Sequence, residues 1–118
     1  MSPVDSIEIV VASTSGRVAL IRVHGRLDAE TAPALLDRCA AIQANGQNLV
    51  LSLAGVTFLG SSGVGALLAL VEQFQEQAGQ VHFVALSQAA RAVVDLLDLE
   101  PYMPIHATEE EGLRALER

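Results

Sequence analysis

A chain of 118 residues, 51% hydrophobic but only 3% aromatic, is large enough to bury one aliphatic core without disulfides or metals and too apolar to be disordered despite its net charge of −7. Its seven cations are all arginines scattered along the chain, which argues against nucleic acid or an acidic lipid surface as partner and for a basic or mixed-charge protein. The single cysteine, Cys39, excludes an internal disulfide, no apolar run approaches the ~20 residues that span a bilayer, and no secretory signal opens the sequence, so a soluble, cytoplasmic protein is expected.

Met1–Ser6 reads as a frayed start. Ile7–Ala12 and Val18–His24 are rich in β-branched residues and read as strands. The polar, glycine-containing link Ser13–Arg17 between them suits a hairpin. Strand two ends at Gly25. Asp28 then serves as N-cap of a helix over Ala29–Ala44, with Glu30 in the first turn where the dipole favours it. Leu35, Leu36, Cys39, Ala40 and Ile42 are its apolar residues, and Asn45-Gly46 is its stop.

Asn48–Leu53 is a short run dense in apolar residues, as in a buried strand. The stretch Val56–Leu68 begins as the tail of that strand, turns at Gly60-Ser61-Ser62-Gly63 and opens a helix that runs to Gly79. Val64, Leu67, Leu68, Val71, Phe74 and Ala78 recur at helical spacing, while Glu72, Gln73, Glu76 and Gln77 form the solvated side. One of Ser61 and Ser62 is expected to cap this helix and the other to stay on the turn. Val81–Ala85 is the next strand, and Ser87 caps a helix to about Leu97. Pro101 and Pro104 bracket a loop, and Met103–His106 is a short terminal strand. Thr108, with Glu111 three residues on, caps a last helix through Arg118.

Strands alternating with helices imply one α/β domain over residues 1–118, with a mixed, mostly parallel sheet of about five strands and about four helices. In such sheets, function gathers at the carboxyl ends of the strands. The Gly25–Asp28 and Gly60–Gly63 loops both leave carboxyl ends and are expected on one edge. A hydroxyl held at a helix start is a place where phosphate is favoured by free N–H groups and the dipole. Gly63, Gly65, Ala66 and Ala69 either let a partner helix approach or pack inside the domain; the residues alone leave both open.

Other chemistries are poorly supported. A P-loop needs a lysine, and the chain has none. His24, His82 and His106 lie in or beside different strands without metal-ligand spacing. Ser61, His24 and Asp28 lack the Gly-x-Ser-x-Gly elbow of a hydrolase. Cys39 reads as an inert core thiol and Glu109–Glu111 as a solvated helix start. No cofactor, no metal and no catalytic residue is expected.

Two segments carry a likeness: Gly25-Arg26-Leu27-Asp28-Ala29-Glu30-Thr31-Ala32 and Leu49 through Gly65, above all Phe58–Gly65. They resemble the STAS domain family, and within it bacterial anti-sigma factor antagonists. The resemblance implies a non-enzymatic partner switch, in which the antagonist binds an anti-sigma factor that is also a serine kinase. Phosphorylation breaks the complex, and a serine phosphatase resets it. Residue by residue, the phospho-acceptor falls on Ser61 and the helix cap on Ser62. Arg26, Leu27, Asp28, Gly60, Ser61, Ser62, Gly63, Val64 and Gly65 form the implied partner-binding set. Gly60 stands where the family usually has aspartate before the acceptor, and Ser52 where it has aspartate in the preceding strand. The alternative is a STAS scaffold or accessory subunit of a sensory or lipid-transport complex, never phosphorylated.

Overall fold

One sheet organises the described residues, and its order follows the sequence. The structure, a computed structural model, describes residues 7–13 and 16–117, so the frayed start expected at Met1–Ser6 and the middle of the first hairpin link lie outside it. The elements run β1 (Ile7–Ser13), β2 (Val18–Leu27), α1 (Ala32–Ala44), β3 (Asn48–Leu59), α2 (Ser61–Glu76), β4 (Val81–Val84), α3 (Gln88–Leu96), a 3-10 turn (Glu100–Tyr102), β5 (Ile105–His106) and α4 (Glu109–Leu116). Strand order is β1-β2-β3-β4-β5. β1 is antiparallel to β2, and every later pair is parallel. The α/β class, the mixed sheet of five strands and the four helices are therefore as the sequence predicts.

Alternation along the strands sorts the core. Ala19, Ile21 and Val23 of β2, Leu49, Leu51 and Leu53 of β3 and Val81 and Phe83 of β4 pack with Leu35, Cys39 and Ile42 of α1 and Leu67, Leu70 and Phe74 of α2. Fully burying each such leucine or phenylalanine contributes about 1.5–3 kcal/mol. Residues of opposite parity, Val18, Leu20, Val50 and Val84, form a smaller cluster under Leu113 and Leu116 of α4. A strap therefore closes the second face: Thr108 Oγ1 accepts from Glu111 N at 3.1 Å, and Arg22 on β2 grips Glu109 through two bonds of 2.7 and 2.9 Å.

Several boundaries differ from expectation: α2 ends at Glu76 rather than Gly79, β4 at Val84 rather than Ala85, and β5 starts at Ile105 rather than Met103, while shifts in β2 and α1 have local reasons. β2 continues past Gly25 to Leu27, because its pairing with β3 absorbs register shifts between Arg22 and His24 and between Gly25 and Arg26, while β3 runs to Leu59, just before the turn expected at Gly60. α1 starts at Ala32 rather than Ala29, with Thr31 at its N-cap position and Pro33 in its first turn. Ala29, Glu30 and Thr31 instead form a turn folded over the Asp28 carboxylate, which accepts from Glu30 N at 3.0 Å and Thr31 N at 3.2 Å. Asp28 thus caps that turn and not the helix, and Glu30 precedes the first helical turn.

The Ser62 cap is a correction. The N-cap of α2 is Gly60, with extended backbone (φ −89°, ψ 176°) and no side chain to offer, and both serines lie inside the first turn. A cap must sit on the non-helical residue for its oxygen to reach the N–H groups two or three residues on. Ser62 is already helical and cannot do so. Ser87 and Thr108 do cap α3 and α4, accepting from Ala90 N and Glu111 N.

Candidate functional site

β2 and β3 are parallel and end at one edge, with Leu27 paired to Leu59. Gly60 N then donates to Leu27 O at 2.9 Å, which ties the start of α2 to the end of β2. The two loops that the sequence sends to one edge are thus joined by the backbone itself. Arg26, Asp28, Phe58, Gly60, Ser61 and Ser62 gather there.

Arg26 and Phe58 face each other across the strand pair, and the Arg26 guanidinium lies 4.1 Å from the Phe58 ring centroid. Such a cation–π contact contributes about 0.5–1 kcal/mol at an exposed site. Phe58 is 41% exposed, unusual for a large aromatic, and its role is not evident from the sequence alone. Arg26 also reaches Asp28 Oδ2, at 3.4 Å. Thr31 completes the loop: its hydroxyl donates to Arg26 O at 2.7 Å and accepts from Asp28 N at 3.0 Å. Desolvation works to raise the Asp28 pKa, but the N–H groups of Thr31 and Glu30, the Thr31 hydroxyl and Arg26 outweigh it and hold the carboxyl below its ordinary value.

Ser61 and Ser62 are both exposed, and neither side chain is used in capping. No acidic residue stands in the first turn of α2. The edge therefore presents two hydroxyls on a helix start, one arginine steadied by a ring and one carboxylate locked into its own loop. This surface suits recognition and a modifiable hydroxyl. His24 packs against Gly55.

The implied partner-binding set divides. Leu27 is fully buried, Val64 is 8% exposed, and Gly63 is buried with its α-carbon against the Leu27 carbonyl. These three hold α2 on the sheet and leave little of their surface outside the domain. Arg26, Asp28 and Gly60 are half-buried, and Ser61, Ser62 and Gly65 are exposed. The small residues of α2 split the same way: Gly63 and Ala66 face inward, while Gly65 and Ala69 line an open groove of about 540 Å³ that continues to Pro101 and Tyr102.

Two features lie elsewhere. His82 Nδ1 and His106 Nε2 are 2.8 Å apart, with the rings stacked at 4.9 Å, and His82 Nε2 meets Gln80 Oε1 at 3.0 Å. Burial, then the neighbouring His106, pushes the His82 pKa down. No spacing rule exposes this pair, because 24 residues separate its members. Cys39 is fully buried on α1, and burial alone pushes its thiol up to about 12. Among the described residues, no helix is long and apolar enough to cross a membrane, and no group of three or more histidine, cysteine or acidic residues could hold a metal.

Comparison with known proteins gives a consistent answer. The sequence profile of the STAS domain matches residues 10–112. The anti-sigma-F factor antagonist RsfB of Mycobacterium tuberculosis is 33% identical over 114 residues, which is 96% of this chain and 92% of that protein. The crystal structure of an anti-sigma factor antagonist from Mycobacterium paratuberculosis superposes with a TM-score of 0.85 at 33% identity, covering 100% of both chains. SpoIIAA from Bacillus, in its phosphorylated form, is alike in fold at a TM-score of 0.67 and 23% identity, over 94% of this chain and 99% of that one.

Proposed function

Because the chain belongs to the STAS domain family, we propose that it is an anti-sigma factor antagonist working by partner switching. Its similarity along nearly the full length of proteins so named supports the antagonist role. In the unmodified state the edge formed by Arg26, Asp28, Gly60, Ser61, Ser62 and Gly65 docks on an anti-sigma factor, and the sigma factor is released. The anti-sigma factor is also a serine kinase. The γ-phosphoryl of ATP passes to Ser61 Oγ, the hydroxyl proton goes to a base of the kinase, and ADP leaves. A serine phosphatase reverses the modification. The domain acts as a binding protein and not as an enzyme.

One observation carries the reading: Ser61 stands exposed on the first turn of α2, with its hydroxyl unused by any cap. A phosphate there adds about −1.5 to −2 charge and three strong acceptors. If the bare edge is packed against a partner, those charges must be desolvated. A loss of about 2–3 kcal/mol corresponds to one to two orders of magnitude in affinity. Inside the domain the phosphate meets the free N–H groups of the helix start, so the fold is expected to stay as it is. Release is local repulsion.

Pull-down of the anti-sigma factor with Ser61→Ala and Ser61→Asp tests this directly. The alanine form retains the partner, and the aspartate form loses it by roughly ten- to a hundred-fold. Intact mass after incubation with the kinase and ATP gains one phosphate, and Ser61→Ala abolishes the gain. The second reading, a STAS scaffold or accessory subunit that is never phosphorylated, is favoured by Gly60, which supplies no carboxylate beside the acceptor hydroxyl. It predicts no mass gain and equal binding by both variants.

A further inference from the structure

Arg26, on the edge where α2 begins, is held unlike the other paired arginines. Arg22 is committed to Glu109 by bonds of 2.7 and 2.9 Å, and Arg91 to Glu100 at 2.6 Å. Arg26 has one long contact, 3.4 Å to Asp28 Oδ2, and is steadied chiefly by the face of Phe58. Asp28 does not depend on it, because Oδ1 already accepts from Glu30 N at 3.0 Å and from Thr31 N at 3.2 Å. The guanidinium can therefore leave Asp28 without orphaning a carboxylate. Four of its five donors remain for an anion.

Gly60 explains why that guanidinium is available. A Cβ at position 60 would meet the edge of the Phe58 ring at 3.0 Å and lie 3.7 Å from Asp28 Cβ. An aspartate there would press on the ring that carries Arg26 and set a second carboxylate beside it. Glycine removes both the pressure and the competing charge. Residue 61 is the next in the chain, one Cα–Cα step of about 3.8 Å from Gly60.

We propose that Arg26 is the internal countercharge of phosphorylated Ser61: it leaves Asp28, stays against Phe58 and donates to the phosphate oxygens, and Gly60 keeps it free to do so. This inference rests on the phosphorylation reading above. It adds a second effect to repulsion, since the docking edge loses a donor to the phosphate as it gains an anion. Guanidinium–phosphate pairing is among the stronger charge-assisted contacts and can be bidentate.

The test does not need the kinase. Phosphoserine is installed at position 61 during translation, and the phosphate is titrated by 31P NMR in the full chain. The second phosphate pKa, ordinarily about 6, is expected to be lower in the native background than in Arg26→Gln by about one unit, as for an opposite charge within 4–6 Å. Gly60→Asp narrows that difference, and Arg22→Gln leaves it intact. The Arg26 Nε resonance shifts with the same midpoint in the native background, a readout that requires no variant. Superimposable 31P curves for the native background and Arg26→Gln, with an Arg26 Nε resonance that does not move, overturn the proposal. If the titration behaves as expected but the kinase never modifies Ser61, the countercharge stands and the partner switch fails. If the kinase does modify Ser61 and the curves coincide, only the countercharge fails.

Discussion

α2 and α4 begin in opposite ways. α4 opens on Thr108, whose hydroxyl takes Glu111 N, while Glu111 Oε1 takes Ala107 N at 3.2 Å and Glu109 anchors to Arg22. Three acids fill its first turn, as the helix dipole favours. α2, twice as long and far more deeply packed, opens on a glycine with no acid and no capping side chain. A helix eight residues long needs its start reinforced. α2 is held by Leu67, Leu70 and Phe74 in the main core and can leave its start bare. Stability delivered by the body of the helix releases its end for recognition.

The strongest way to break this comparison is at the glycines that let each helix sit down. Gly63→Ala drives a Cβ into the Leu27 carbonyl, a backbone atom that cannot rotate away. The expected loss is at the upper end of the roughly 1–3 kcal/mol of overpacking, read from urea denaturation. Gly112→Ala meets Val84 Cγ1 at 2.5 Å and Val50 Cγ1 at 3.3 Å, side-chain rather than backbone atoms but on stiff, fully buried valines, so α4 is expected to lose somewhat less. Gly65→Ala has nothing within 4 Å and should instead stabilise by about 0.5–1 kcal/mol, since alanine is the better helix former.

The caps sharpen the comparison at smaller scale. Thr108→Ala is expected to lower stability by about 1 kcal/mol. Ser62→Ala, which removes no capping bond, should leave the urea midpoint within error. Equal losses from the two would restore the cap that the structure denies to Ser62.

The smallest effect is electrostatic and belongs mainly to the α4 side of the sheet. Burial lowers the His82 pKa from 6.5, so the unfolded chain binds the proton more readily, and stability should decline as pH falls below about 6.5. The paired rings give the same sign, because two imidazoliums cannot share the His82–His106 bond. Glu109, lowered chiefly by its bond to Arg22, and Asp28, lowered by its loop N–H groups against desolvation, continue the decline in the carboxylate range. A thermal-melt series from pH 7.5 to 4 checks it; His82→Gln should flatten the first part of the curve and leave the acid part.

Much of this was legible because the signals were local. Runs of β-branched and apolar residues gave the strands, the three- and four-residue recurrence from Val64 to Phe74 gave α2, and Ser87 and Thr108 are caps whose partners lie three residues away. Ser61 follows from likeness of motif, and the structure places it exposed on the first turn of α2. What escaped depends on distance along the chain. Register shifts between β2 and β3 bring Arg26 opposite Phe58, 32 positions on, and no periodicity announces them. The Ser62 cap failed because Gly60 turned out to be the last extended residue, a matter of one position that composition cannot decide. The late start of α1 has a similar origin: Thr31 links Arg26 O and Asp28 N, and that loop takes three residues from the helix.

The sealed thiol of Cys39 has a practical consequence. With its pKa raised to about 12 and no exposed surface, it carries almost no thiolate at neutral pH and should ignore maleimides in the folded chain. A second cysteine at an exposed position such as Glu30 would then be the one group that reacts. A fluorophore attached there, beside the loop that holds Asp28, would report docking in real time with every native side chain of the edge still in place.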